Sequence, residues 1–518
     1  MSVYSQRILF SPFCFKPTKP NPSFYTTIDP ISAYKRFFCF SIPPSPTCSE
    51  ELCSEPNKWQ PFRKKKVVMR VGYVGSNYRG LQMQRDEHSL TTIEEELENA
   101  IYKAGGILES NFGNLNKIAW ARSSRTDKGV HSLATTITLK MEIPDFAWKG
   151  DPYGVDLADH INFHLPANIK VFSILPSKRS FDPRRECDIR KYSYLLPAEI
   201  IGIKNKHNTM EIGHHISDFN EILRTFEGEH PFHNYTIRSK YRRNLPIRKT
   251  RKDCRSSMEE KLSNSTYSKV EESDHQSSSL ECSSDEADLG GIGEVYPASS
   301  FDESHADSFH DFGHTHTNKG QDSSVVVRAK WLHQPDEKDR VSSSHFRKIL
   351  QCSCMMPQKL MGLDYVEISV WGQSFMLHQI RKMVGTAIAV KCDIFPRDVL
   401  TLSLAKHSRI VLPLAPSEVL VLRGNNYRLG KRHGEVTRPE MVAQIESEVI
   451  LGNVEKFYES TVLPEIARFL DPLRSPWKGW TEKLELSRIP EPQLDEVRNA
   501  LRVWEENLAI RKVVSVDF

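Results

Sequence analysis

The nine residues SSRTDKGVH (123–131) lie between two runs of strand-like sequence. Residues 117–123 lead into the loop, and apolar and polar residues alternate through 133–141 after it, as in a half-buried strand. Asp-Lys-Gly is common in tight turns, because Gly accepts a left-handed backbone and Asp can bond to its own main chain. The pattern predicts two strands joined by a loop that carries Asp127.

Strands and helices of similar size alternate on both sides of this loop. Further strands are predicted at 67–74, 169–175, 189–196, 325–331 and 365–371, and helices at 93–104, 155–164, 216–226 and 372–390. Thr92 with Glu95 three residues later is typical of a helix N-terminus, and Gly105-Gly106 is typical of a helix end. The alternation predicts an α+β protein.

Charge is distributed unevenly along the chain. Residues 256–324 hold 17 Ser, 15 Asp or Glu and 3 Lys, a net charge of −12, whereas the whole chain carries +4. Few large apolar residues and no periodicity occur there, so a disordered acidic insertion is predicted. The remaining chain is correspondingly basic, which favours a polyanionic partner such as RNA or DNA.

The two ends of the chain differ in composition from its middle. Residues 1–60 begin with a stretch rich in Ser, Thr and Pro that holds a single acid, Asp29, before position 50. Such composition predicts an organellar transit peptide, and an ordinary disordered tail is the alternative. Because Ser, Thr and Pro outnumber Arg, a chloroplast is favoured over a mitochondrion, with nucleus or cytoplasm as the alternative. Residues 424–518 are predicted to form a helical extension.

Neither a membrane span nor a metal site is predicted. The chain has no run of 18 apolar residues, which a membrane-spanning helix would need. Cys352 and Cys354 form one C-x-C without a second pair, so a zinc site is not expected.

Three segments could carry chemistry. Asp127 lies between Arg125 and Lys128, and neighbouring cations favour an ionised carboxylate that could be a nucleophile or a charge partner. From residues alone, an ordinary tight turn between two strands is the favoured explanation of the loop. The strand RKYSY (190–194) could stack bases on its tyrosines, or it could pack both on a core face. The segment 372–390 is explained in isolation as an amphipathic core helix.

Together, several segments are much more specific than any one alone. The order in which they occur resembles that of the TruA-type tRNA pseudouridine synthase family, in wording nearest its eukaryotic branch, over residues 67–423. The segments are GYVGSNYRGLQ (72–82), SSRTDKGVH (123–131), FDPRRECDIRKYSYLLP (181–197), EGEHPFHNYT (227–236), GQSFMLHQIRKMVG (372–385) and LPLAP (412–416). One departure is LPLAPSEVL, which differs from the family's usual run and bears on the pocket wall near Val419 to Leu422.

The resemblance implies two ferredoxin-like (RRM-like) halves whose abutting antiparallel sheets form a basic central cleft for tRNA. The first half would occupy 67–200, and the second would occupy 201–255 and 325–423. The enzyme would be a monomer or homodimer that isomerises uridine to pseudouridine in tRNA, and in some cases other RNA, without a cofactor or metal.

The resemblance also implies roles for four residues. Asp127 matches the nucleophile, and Arg381 matches the arginine that pairs with it. Tyr192 matches the tyrosine that stacks on the target uracil, and Arg125 matches the arginine that holds the flipped nucleotide out of its helix. A catalytically idle RNA-binding protein with the same fold is the alternative, although binding alone would not require the Asp.

Overall fold

The protein is described by a computed structural model that covers residues 58–84, 89–238, 326–335, 340–428, 431–432, 435–436 and 438–514. The strands are β1 (Arg63–Tyr73), β2 (Ala121–Arg122), β3 (His131–Ile143), β4 (Ile169–Pro176), β5 (Cys187–Pro197), β6 (Gly228–Pro231), β7 (Ala329–Trp331), β8 (Phe346–Cys354), β9 (Gln358–Leu360), β10 (Leu363–Gly372), β11 (Ser408–Ile410), β12 (Leu420–Tyr427), β13 (Lys431–Arg432) and β14 (Glu435–Val436). The helices are α1 (Ile93–Ala104), α2 (Val155–Asn162), α3 (Thr209–Arg224), α4 (Gln379–Lys391), α5 (Val399–Ser403), α6 (Pro439–Glu446), α7 (Glu448–Phe457), α8 (Leu463–Ala467), α9 (Trp477–Glu485) and α10 (Glu491–Val514). The predicted α+β class is confirmed.

One mixed sheet runs through both parts of the fold. Its strand order is β4-β1-β3-β12-β5-β10-β8-β6, with β2 beside β3 and β9 beside β10. Among the described strands, only β3 and β12 pair in parallel, with Val421 opposite His131 and Leu422 opposite Ser132. The structure therefore has one continuous sheet, with a short parallel seam between β3 and β12, where two abutting antiparallel sheets were predicted.

The strand group β4-β1-β3 has its own core. In β1 the side chains of Val67, Met69, Val71 and Tyr73 are fully buried and pack with apolar residues of α1 and α2. The predicted start of α1 is correct, because Thr92 Oγ1 accepts a hydrogen bond from Glu95 N at 3.3 Å. The helix ends at Gly105, whose φ of 99° is the left-handed conformation typical of a helix C-terminus.

The strand group β12-β5-β10-β8 packs on α3 and α4. Helix α3 begins earlier than predicted, because Asn208 and Glu211 form a capping box. The prediction that a helix starts at 372 is wrong. Helix α4 starts at Gln379, because His378 has a φ of 65° and breaks the helical path.

Two predicted strands are shorter in the structure. Of 117–123, only Ala121–Arg122 forms a strand, since the residues before it form successive turns. Of 325–331, only Ala329–Trp331 is a strand. The side-chain oxygen of Gln493 in α10 accepts hydrogen bonds from the backbone N–H groups of Arg328, which precedes this strand, and of Ala329, its first residue.

The C-terminal helices contact both strand groups. In α6, the carbonyl of Gln444 accepts a hydrogen bond from Arg70 at 2.6 Å, and its side-chain amide donates to Val68 O. Helix α10 packs on β7. No helix in the described ranges combines the length and apolarity needed to cross a membrane. The acidic insertion 256–324 and nearly all of segment 1–60 lie outside the described residues.

Candidate active site

The loop before β3 is anchored on both sides of Asp127. The Thr126 hydroxyl lies 2.8 Å from Tyr73 Oη, and its carbonyl accepts a hydrogen bond from Leu81 N at 3.2 Å. Gly129 has a φ of 83°, and a Cβ there would lie 2.5 Å from Ser417 Oγ. The half-buried Asp127 therefore projects from a turn whose backbone has little freedom.

A residue of the second strand group contacts the Asp127 carboxylate. His378 Nε2 lies 3.9 Å from Asp127 Oδ2, and the His378 side chain is only 9% exposed. The left-handed turn at His378, immediately before α4, brings the imidazole to this position. Periodicity treated this segment as helix, so sequence reasoning did not assign His378 to the site.

Tyr192 lies on β5 and is buried, with 6% of its surface exposed. Its ring packs edge-on against Phe375, with 5.3 Å between centroids. Tyr192 and Tyr194 both face the core, so the interpretation as exposed aromatics is wrong for the protein without RNA. Burial raises the pKa of Tyr192 well above its ordinary value; Arg190 opposes that rise and the Asp127 charge adds to it. Asp127 and Tyr192 therefore share one electrostatic neighbourhood.

Arg381 lies in the first turn of α4 and is 8% exposed. Its Nε donates a hydrogen bond to Ala415 O at 2.7 Å. Its Nη1 is buried and makes no hydrogen bond to any residue the structure describes. The guanidinium charge also reaches Tyr194, where it opposes the rise in pKa that burial causes. The Arg381 side chain is thus positioned by the hydrogen bond at Nε, whereas Nη1 has no partner among the described residues.

Arg190 was seen in the sequence only as a neighbour of the tyrosines. It is buried, and its Nη2 and Nε donate to Ser123 O and Ser124 Oγ, at 2.7 and 3.0 Å. A third bond runs to the carbonyl of Gln373, on the approach to α4. One guanidinium therefore ties the start of the loop to the segment that carries His378.

The four predicted site residues come from both strand groups. The loop supplies Asp127 and Arg125, and the Arg125 side chain is exposed. Strand β5 supplies Tyr192, and α4 supplies Arg381. The charge of Asp127 contributes to the raised pKa of Tyr192, whereas the Arg381 bond given above runs to Ala415.

Metal chemistry has no evident place among the described side chains. In that part of the chain, no group of three or more His, Cys, Asp or Glu is placed to hold an ion. Cys352 and Cys354 are both buried in β8, and burial raises the pKa of Cys354 to about 12. Both thiols are therefore protonated core residues at neutral pH.

Most of this chain is similar in sequence to known proteins. It is 25% identical over 409 residues to the Pseudouridylate synthase 1 homolog of Mus musculus, covering 78% of this chain and 70% of that protein. The human protein of the same name is 25% identical over 406 residues, with 77% and 68% coverage. The tRNA pseudouridine synthase 1 of Eremothecium gossypii is 31% identical over 373 residues, with 70% and 63% coverage. No family model matches the chain.

Proposed function

The chain belongs to the TruA-type tRNA pseudouridine synthase family, in its eukaryotic branch, and from this premise we propose that it converts uridines of tRNA to pseudouridine at the Asp127 site. The single observation that carries the proposal is the position of Asp127. A half-buried carboxylate stands on an anchored loop where the two strand groups meet, against His378 and near Tyr192.

The reaction is an isomerisation. The bond from uracil N1 to ribose C1′ breaks, a bond from C5 to C1′ forms, and the C5 proton leaves while N1 gains one. Atoms and electrons balance without a cofactor. Asp127 acts as the nucleophile at either C1′ of the sugar or C6 of the base; from C1′ it is displaced as the C5 bond forms, and from C6 it is eliminated as the C5 proton leaves.

The neighbouring residues suit this chemistry. A uridine within a stack must be extruded before it can react, and the exposed Arg125 beside the loop holds the extruded nucleotide by its phosphate. Tyr192 offers the uracil an aromatic ring, and its raised pKa keeps the phenol neutral beside the carboxylate. Arg381 supplies the positive charge of a planar guanidinium, which can offer a carboxylate two parallel N–H donors.

The two strand groups are ferredoxin-like halves in this proposal. In chain order the first group runs β1-α1-β2-β3-α2-β4, with spatial order β4-β1-β3-β2. The second, apart from the short elements β6, β7, β9, α5 and β11 between them, runs β5-α3-β8-β10-α4-β12, with spatial order β12-β5-β10-β8. Each follows one β-α-β-β-α-β pattern, which supports a repeated unit. The basic cleft for tRNA then lies along the seam at which the halves abut.

Asp127→Asn provides the test, because Asn keeps the shape of Asp but not its charge. The variant should fold and bind tRNA like wild type, yet release no tritium from C5 of labelled uridine. The exposed Asp145, which pairs with Lys149 on the surface, gives a matched control in Asp145→Asn. Turnover by Asp127→Asn within about tenfold of wild type would reject the nucleophile assignment.

Location and assembly are further parts of the proposal. Residues 1–60, fused to a fluorescent reporter, should enter a plastid or, second in preference, a mitochondrion. A reporter that stays in cytosol and nucleus would contradict this. Light scattering should give a monomer or a homodimer. Mapping pseudouridines in cells lacking the protein would identify the modified positions, in tRNA or in other RNA.

A further inference from the structure

The segment from Leu414 to Glu418, here called the carbonyl segment, receives side-chain hydrogen bonds from four separate elements. They come from a C-terminal helix, from α4, from β5 and from β3. The bonds are Trp480 Nε1 to Leu414 O at 2.7 Å, Arg381 Nε to Ala415 O at 2.7 Å, Tyr194 Oη to Pro416 O at 2.9 Å, and His131 Nε2 to Glu418 O at 2.8 Å.

The carbonyl segment reaches both sides of the site. At one end it holds Arg381 by the Ala415 carbonyl, and Ala415 N donates back to Arg381 O at 3.3 Å. At the other end it meets the nucleophile loop, since Ser417 touches Gly129 and Glu418 holds His131. A shift of this segment would therefore move Arg381 relative to the Asp127 loop.

His131 shows how firmly the loop end is joined. Its Nδ1 accepts a hydrogen bond from Gly75 N at 3.2 Å, so in the neutral ring Nε2 carries the proton and donates to Glu418 O. Burial lowers the pKa of His131, which keeps the ring neutral. The first residue of β3 thus links the end of β1 to the carbonyl segment.

Of the four donors, Trp480 alone lies outside the two strand groups and their helices. It is half-buried in α9, beside the fully buried Trp477, whose indole donates to Phe469 O at 2.7 Å within the same extension. We propose that Trp480 is a positioning residue of the synthase site, acting through Leu414 on Arg381. This role rests on the proposed function.

The physical reason is that the Arg381 side chain makes few hydrogen bonds to the described residues. Because its Nη1 finds no hydrogen-bond partner among the described residues, the Nε bond to Ala415 O largely decides where the guanidinium points. Leu414 and Ala415 share a peptide unit, so the Trp480 bond fixes the plane that precedes the Ala415 carbonyl. A displacement of about 1 Å at a reacting site can cost up to about 100-fold in rate.

Two variants remove the indole donor and keep an apolar side chain, namely Trp480→Phe and Trp480→Met. Trp148→Phe is the matched control, because its indole N–H also donates to a backbone carbonyl, Ile174 O at 2.8 Å, within the first strand group. For each protein, single-turnover rate with saturating enzyme, tRNA affinity, thermal unfolding and hydrogen exchange of peptide 412–420 are measured on the full chain.

The expected result is a single-turnover rate lowered roughly tenfold in both Trp480 variants. Their tRNA affinity should stay within about twofold of wild type, and exchange in 412–420 should quicken. The Trp148→Phe rate should match wild type even if its unfolding temperature falls. Folded Trp480 variants with wild-type rates would overturn the positioning role, as would a rate loss that Trp148→Phe shares. If the Trp480→Phe protein is unfolded at the assay temperature, Trp480→Met decides by the same criteria.

The results distinguish a failure of the positioning role of Trp480 from a failure of the proposed function. Wild-type protein that forms no pseudouridine, or an active Asp127→Asn variant, rejects the synthase assignment itself. Normal turnover in wild type together with normal turnover in the Trp480 variants rejects only the positioning role of Trp480.

Discussion

Gly385 of α4 lies directly against Pro413, so that a Cβ on Gly385 would overlap the Pro413 carbonyl oxygen. The same Cβ would lie 3.3 Å from Ala415 N, which belongs to the peptide unit whose Leu414 carbonyl is held by Trp480. Helix α4 thus meets the residues before β12 backbone to backbone. This close approach allows Arg381, one turn earlier, to bond to Ala415 O.

Gly385→Ala should therefore destabilise the protein although Ala favours helices. Since the backbone oxygen cannot yield as a side chain would, we expect a loss of about 1–3 kcal/mol in the free energy of unfolding. Gly452→Ala in α7 is the control, because its Cβ would meet nothing within 4 Å. That change should stabilise by up to about 1 kcal/mol. Urea unfolding of both variants checks the prediction, and equal effects would contradict it.

His378→Leu should slow the chemical step more than His378→Asn. Asn tolerates the left-handed backbone at this position and keeps an N–H group near Asp127, whereas Leu does neither. We expect about a tenfold loss in single-turnover rate for Leu and a few-fold loss for Asn, with tRNA affinity retained. If the two variants have the same rate, contact with Asp127 is not what His378 contributes.

Arg381→Lys should cost roughly tenfold or more in single-turnover rate, although the charge is kept. Lys offers a single ammonium in place of the planar fork, so it cannot hold Ala415 O by Nε and present a second nitrogen to the carboxylate. The exposed Arg474, which pairs with Asp471, supplies the control Arg474→Lys. Wild-type kinetics in Arg381→Lys would mean that Arg381 does not act on Asp127.

His131 should make the stability of the protein depend on pH below neutrality. Burial lowers its pKa in the folded state, whereas an unfolded His has a pKa of about 6.5. As the pH falls through 6.5, the unfolded chain binds a proton that the folded chain refuses, so His131 destabilises the fold by at most about 1.4 kcal/mol per pH unit.

Comparison with His131→Asn isolates this contribution from that of the other histidines. Wild type should exceed the variant in unfolding free energy by more at pH 7.5 than at pH 5.5, as measured in urea. The variant loses the bond to Glu418 at both pH values, so the narrowing of the gap reports the proton alone. A gap that does not change with pH would show that His131 can be protonated in the folded protein.

Much of the fold follows from local pattern. Alternation predicted β1, β3 and β10, and the Thr92 and Gly105 signals located both ends of α1. The loop 123–131 and its Asp127 could also be recognised in the sequence, because the turn residues and the patterns of the two flanking strands are adjacent in the chain. The order of the motifs along the chain indicated the family, since motifs can be compared without knowledge of the three-dimensional structure.

What only the tertiary structure decided are the contacts between distant segments. Periodicity places Tyr192 and Tyr194 on one face of a strand, but it does not indicate that the charge of Asp127 acts on Tyr192. It cannot place His378 at the carboxylate, because a left-handed residue interrupts the helical pattern. Trp480 and Leu414 are likewise 66 residues apart, and their bond joins a side chain to a backbone carbonyl. Every residue except proline carries the same backbone groups, so a sequence has no letter that marks which carbonyl will be used; packing of the strand groups and the C-terminal helices makes that choice.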